Sequence, residues 1–127
     1  MKELIESYKE FIDGVFLLSP DGMLLEGYLP DSWTEEDIYF GIFPIINILK
    51  NITEGYFIDI SETQDFTMII TSPDREVYIG ILANKHKAPL GYLLTILQEI
   101  YTTYIQEKGI KEQNIEEIVE RWSKSLS

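Results

Sequence analysis

Apolar and polar residues alternate along this chain in two different rhythms. Leu4, Ile5, Tyr8, Phe11 and Ile12 recur at helical spacing and predict a short amphipathic helix over residues 2–12, ended by Gly14. "VFLLS" and "MLLEGYL" then flank Ser19-Pro20-Asp21-Gly22, which predicts two strands joined by a tight turn. Pro20 presets φ for the second turn position, Asp21 suits the third, and Gly22 can take φ > 0 after it. Val15–Leu18 is apolar on both faces and belongs at the sheet centre, whereas Glu26 and Gly27 place the second strand towards an edge.

Pro30 breaks that strand. Thr34 is an N-cap with Asp37 three positions on, a capping box with Asp in the usual Glu position, and Glu35, Glu36 and Asp37 fall where the helix dipole favours negative charge. The helix runs to about Asn51, and Pro44 must kink or restart it. Three strands follow between Gly55 and Ala83: "GYFIDI", "FTMIITS" and "EVYIGILA". The last is nearly all apolar and pairs with the first strand at the centre. Leu90, Leu93, Leu94, Leu97, Tyr101 and Tyr104 form the stripe of a long helix that Gly109 ends. Ile115, Ile118, Val119, Trp122 and Leu126 predict one more helix, appended to the domain.

The segment from Thr34 to Asn51 carries more apolar surface than one sheet can cover. On a straight α-helical wheel Ile38, Ile42, Ile45 and Leu49 share a face suited to the sheet. Tyr39, Phe43 and Ile46 lie a quarter to a third of a turn away, and Phe40 is almost opposite. Either the first or last helix of the same chain folds over this second face, or a second protein does; aromatic enrichment favours an interface.

Charge and composition narrow the function classes. The formal net charge of −12 opposes binding to nucleic acid or to an anionic membrane surface. The absence of cysteine excludes disulfides and thiolate metal sites and fits a reducing, cytoplasmic setting. The N-terminal stretch lacks a signal-peptide core, and no apolar run approaches the ~20 residues of a membrane span.

An enzyme reading has little to build on. The one histidine, His86, sits in a Lys-rich loop, and no metal site or cofactor is expected. Asp59, Glu62 and Asp65 lack the spacing of a calcium loop and read as a solvated strand edge and turn. No phosphate-binding glycine motif is present. Arg75, at a hairpin tip, and Arg121, on the appended helix, read as surface charges rather than arginine fingers. Glu116, Glu117 and Glu120 form the wet face of the last helix, and Trp122 anchors it.

The order helix, two strands, helix, three strands, helix resembles the Roadblock/LC7 domain family over roughly residues 2–108. The matching features are Gly14 entering the first strand, Asp21-Gly22 in the hairpin and Pro89-Leu90-Gly91 opening the last core helix. The resemblance implies an α+β fold: a five-stranded antiparallel sheet in the order αββαβββα, the second helix on one face and the first and last on the other. It implies a domain over residues 1–109, and the helix read from apolar spacing after Gly109 is then an extension over 110–127 that lies beyond the family's core domain. It also implies a non-catalytic homodimer, joined through the second helix and the third-strand edge, that regulates or scaffolds a small Ras-like GTPase. The dimer or partner interface then comprises Tyr39, Phe40, Phe43, Ile46, Asn47, Lys50, Tyr56 and Ile58; the C-terminal helix, outside the family's core domain, makes its own contact through Ile118 and Trp122. The rival reading is a ligand-sensing domain of PAS-like layout, which needs a buried cavity with convergent polar groups.

Overall fold

The computed structural model describes residues 1–54, 57–84 and 86–108, together with Glu120 and Lys124. Helix α1 (Lys2–Ser7) leads into β1 (Gly14–Leu18) and β2 (Leu24–Tyr28). A continuous helical segment follows, made of α2 (Glu35–Asp37), a π-helical turn (Ile38–Ile42) and α3 (Phe43–Ile52). Strands β3 (Phe57–Glu62), β4 (Phe66–Ser72) and β5 (Tyr78–Asn84) precede α4 (Leu90–Glu107). The five strands form one antiparallel sheet in the order β2-β1-β5-β4-β3. The all-apolar strands β1 and β5 pair at the centre, β1 being buried at every position, while β2 alternates as an edge strand does.

The elements start and stop for local reasons. α1 is shorter than the periodicity predicts: after Ser7 the chain closes turns in which the amides of Phe11 and Ile12 both donate to the Tyr8 carbonyl (2.9 and 3.0 Å), and Ile12 is still delivered to the core. In the β1–β2 turn the Gly22 amide donates to the Ser19 carbonyl (2.9 Å) with Gly22 at φ +91°, the left-handed conformation that glycine adopts without strain. The Thr34 capping box is complete. The Thr34 amide donates to Asp37 Oδ2 (2.8 Å) and the Asp37 amide to Thr34 Oγ1 (3.3 Å).

Pro44 neither breaks the helix nor merely kinks it. Its missing N–H and its ring conflict with an α-helical bond to the Phe40 carbonyl. The chain widens instead, and the Phe43 amide reaches back to the Ile38 carbonyl five residues earlier. A wide turn advances the side chains less per residue than an α-turn, so the sheet-facing row becomes Ile38, Ile42 and Ile46, spaced by four. This corrects the straight-wheel reading at two positions. Ile46, expected on the second face, is 0% exposed in the core, and Ile45, expected against the sheet, is 41% exposed.

Two apolar layers enclose the sheet, as the resemblance implies. α1 and α4 cover one face, where Ile5, Leu93, Ile96, Leu97, Ile100 and Ile105 meet Val15, Leu17, Ile69, Ile79 and Ile81. The helical segment covers the other, where Ile38, Ile42 and Ile46 meet Phe16, Leu18, Ile70 and Tyr78. Ile115, Ile118 and Trp122, and the extension they define, lie outside the described residues.

Candidate partner-binding surface

With Ile46 pointing at the sheet, helical spacing sends the other side chains of α3 to two different flanks. Ile45, Ile48 and Ile52, spaced by three and four, line one flank. Ile48 is 60% and Ile52 72% exposed. Asn47 and Asn51 are exposed on the other flank, and Lys50 is half-buried between the Asn flank and the core row. An isoleucine in water leaves most of a ~2 kcal/mol burial gain unrealised, and three of them in a row on a helix form an apolar stripe that no described residue covers.

The aromatic residues gather elsewhere. Tyr39 stacks on Phe43 (centroids 5.8 Å apart) and meets Phe40 edge-on (5.2 Å). Phe43 itself is half-buried over the β1–β2 turn, where a Cβ on Gly22 would come within 2.8 Å of its ring. Tyr39 and Phe40 share a shallow pocket of about 270 Å³ with Met23, Leu24, Glu35 and Glu36 at that turn. Phe40, 73% exposed, is the most open large apolar side chain among the described residues.

At the end of the strands away from the β1–β2 turn, part of the sheet is left uncovered by the described residues. A groove of about 520 Å³ lies there, floored by Phe66 and Met68 of β4 and Leu82 of β5, and walled by Trp33, Ile42 and Ser61. Its rim charge is already balanced. Asp13 accepts from the Asn84 amide (2.7 Å) and from Lys87 Nζ (2.5 Å).

The expected interface residues therefore do not form one patch. Tyr39, Phe40 and Phe43 face the β1–β2 turn, Asn47 is exposed, Lys50 is half-buried and Ile46 is core. Ile58 stands opposite Thr71 and packs into the α1–α4 layer, on the far face of the sheet from the helical segment. Tyr56 lies outside the described residues, as do Ile118 and Trp122. Ile48 and Ile52 fall outside the expected interface although their 3–4 spacing with Ile45 is visible in the sequence, and the groove, lined from separate strand ends, has no local signature.

His86 is exposed on the loop before α4, where its backbone amide donates to Asn84 Oδ1 (2.9 Å). Arg75 occupies the β4–β5 turn at φ +66°. Among the described residues no group of three or more His, Asp and Glu side chains is placed to hold a metal ion, and no helix is long and apolar enough to cross a membrane.

Sheet order, helix placement and element sequence together define the α+β fold of Roadblock/LC7 domains. Solved structures bear this out over most of the chain. Myxococcus xanthus MglB superposes with a TM-score of 0.62 at 15% identity, over 87% of this chain and 86% of its own. A Roadblock/LC7 domain from Streptomyces avermitilis gives 0.58 at 14% identity, over 83% and 94%. The gliding protein MglB from Thermus thermophilus gives 0.58 at 9% identity, over 75% and 77%. At these identities the likeness is one of fold. No protein-family model matches the sequence, and no curated protein matches it either.

Proposed function

We propose that this chain is a non-catalytic, homodimeric regulatory or scaffold module of the cytoplasm that binds a small Ras-like GTPase. The observation that carries the reading is the helical segment 35–52. One side of it is fully used against the sheet, and the other sides expose Phe40, Ile48 and Ile52. A helix that covers a sheet needs a single apolar stripe, so the surplus belongs to a protein partner. The fold supports the same direction: a structure of MglB shows a tetrameric arrangement, at 12% identity to this chain and a TM-score of 0.54.

The GTPase as partner rests on the Roadblock/LC7 resemblance. So does the domain over residues 1–109, whereas the extension over 110–127, which anchors itself through Ile118 and Trp122, rests on the helical spacing of its own apolar residues. Light scattering on the full chain should give twice the 14.8 kDa of one copy. Ras-like GTPases of the same cell, loaded in turn with GDP and with a non-hydrolysable GTP analogue, should then be titrated against it by calorimetry. Binding that depends on the nucleotide supports the regulatory reading. A dimer that binds no GTPase in either state reduces the proposal to a scaffold. A monomer whose melting temperature rises with a small apolar ligand shifts the weight to a ligand-sensing domain, for which the groove beside Trp33 is the place to look.

A further inference from the structure

On the face held by α1 and α4, the two helices do not reach the β3 margin of the sheet. α1 belongs to the β2 side, where Lys2, Ile5 and Glu6 share a cleft with Leu25 and Tyr28. α4 lies next to it over β5, and its Tyr92 meets Tyr8 and Phe11 edge-on (6.5 and 5.1 Å). Five strands about 4.8 Å apart make a face about 24 Å wide, and one packed helix covers about 10 Å of it. Two helices therefore leave room for a third beyond α4, over β3 and β4.

The side chains there are apolar and partly open. Ile58 and Ile60 stand opposite Thr71 and Ile69, so both point to the α4 face. Ile58 is half-buried, whereas Ile60 is 41% exposed. On α4, helical spacing turns Leu94 and Gln98 away from the side where Tyr92 and Glu99 meet Tyr8, and Leu94 is half-buried. Ile58, Ile60 and Leu94 thus line a trough between α4 and the sheet edge, whose outer side no described element covers.

The chain itself offers the cover. α4 ends at Glu107, and Gly109 is the residue type that lets a chain reverse after a helix. Residues 110–127 are 18 in number, as are those of α4, so a helix of them spans about 27 Å and runs the length of α4. On such a helix Ile115, Ile118, Val119, Trp122 and Leu126 fall within an arc of about 100°, opposite Glu116, Glu117 and Glu120. Glu120 and Lys124 are indeed helical and exposed, and they pair at 3.4 Å, so the acidic side is the one in water. Resting on the self-anchoring of this extension stated above, we propose that residues 110–127 dock in the trough of their own subunit as a third helix, antiparallel to α4. With one residue between Lys108 and the extension, the place beside α4 is the first it meets. Counted from the reversal, Trp122 stands between Gln98 and Leu94 and comes down on Ile60. The surface left for a protein partner is then that of the helical segment, on the opposite face.

Trp122 reports the contact once Trp33 is replaced by Phe, because the chain has two tryptophans. In this single-tryptophan parent, acrylamide should quench Trp122 several-fold less than it quenches a synthetic peptide of residues 110–127. Ile60→Glu sets an unpaired carboxylate under the docked helix and should shift the equilibrium toward the open form by at least about 100-fold, bringing quenching to the peptide's level. Ile60 is on an edge strand and already 41% exposed, so the fold accepts the charge, which circular dichroism checks. Leu94→Gln, on the other wall of the trough, should release Trp122 in the same direction. Leu25→Glu, at a comparably exposed position (45%) on the opposite edge strand, should leave it protected. A parent quenched as freely as the peptide overturns the anchoring itself. Protection that survives Ile60→Glu, or that yields equally to Leu25→Glu, overturns the seat and leaves the anchoring standing. Protection that fades as the parent is diluted overturns docking within the subunit.

Discussion

The ring of Phe16 on β1 occupies the space over Gly80 on β5. The two are direct cross-strand partners, and a Cβ built on Gly80 would fall 1.9 Å from Phe16 Cζ. Glycine is required here by an approach between residues rather than by a turn. The ring fills the space a side chain would take, and it brings aromatic surface to the layer under Ile38, Ile42 and Ile46.

Gly80→Ala should therefore destabilise the protein at or beyond the upper end of the ~1–3 kcal/mol typical of overpacking, because Phe16 has to leave its position. Gly41→Ala is the matched control. Nothing lies within 4 Å of a Cβ there and the residue is helical, so the change should be neutral or stabilise by up to about 1 kcal/mol. Urea denaturation of both variants at equal concentration checks the pair, and an equal loss at the two positions would contradict the packing described.

Ile46 and Ile45 exchange roles relative to a straight helix. Ile46→Ala removes a fully buried side chain and should cost about 2–5 kcal/mol, whereas Ile45→Ala, at a half-open position, should stay within about 1 kcal/mol for the single copy. Melts at concentrations below dimer dissociation separate the core effect from any interface effect. The opposite ranking would mean that the π-turn at Ile38–Ile42 does not form in solution.

What could be read from the sequence follows from how local each cause is. The Thr34–Asp37 capping box, Gly22 in its turn, and the central placement of the apolar strands β1 and β5 all rest on neighbours in sequence or on simple apolar runs, and all are present. The sheet-facing row of the helix was misread because it depends on one hydrogen-bond choice, Phe43 to Ile38 rather than to Tyr39, that Pro44 provokes but a wheel does not represent. Tyr39 and Phe40 are exposed, but Phe43 is half-buried against the β1–β2 turn at Gly22, a contact between residues far apart in the chain. The groove was invisible for the same reason. Trp33, Ser61, Phe66 and Leu82 converge only once five strands are in order.

Asp74 ties the β4–β5 turn to α4. Its Oδ1 accepts from the amides of Glu76 (2.8 Å) and Val77 (3.0 Å), and its Oδ2 accepts from the buried Tyr101 hydroxyl (2.9 Å). Asp74→Ala removes one acceptor from three donors and should cost about 3 kcal/mol, more than the roughly 1–2 kcal/mol expected for Tyr101→Phe, which leaves the two backbone amides bonded to the carboxylate. The double variant should fall short of the sum, because the Tyr101 bond is lost only once. Additive losses in thermal melts would show that the hydroxyl and the carboxylate do not interact.

Tyr8 joins α1 to α4 and should reveal itself at alkaline pH. Its hydroxyl donates to Glu99, and its ring meets Tyr92 edge-on with centroids 6.5 Å apart. Burial first, and then the hydrogen bond to the Glu99 carboxylate, push the phenol from its ordinary 10.0 up to about 12. The folded protein therefore holds this proton more tightly than the unfolded chain does. The resulting stability is fully present below pH 10 and is lost progressively as pH rises through the window from 10 to 12. Tyr8→Phe keeps the ring but has no proton to lose, so the gap in denaturation midpoint between wild type and variant should narrow between about pH 9 and about pH 11. A difference absorbance titration of the two proteins isolates this phenol from the other seven of the eight tyrosines in the chain. Ionisation near 10 in that difference, with a midpoint gap independent of pH, would show that Tyr8 stands in water and that α1 is not fastened to α4 through it.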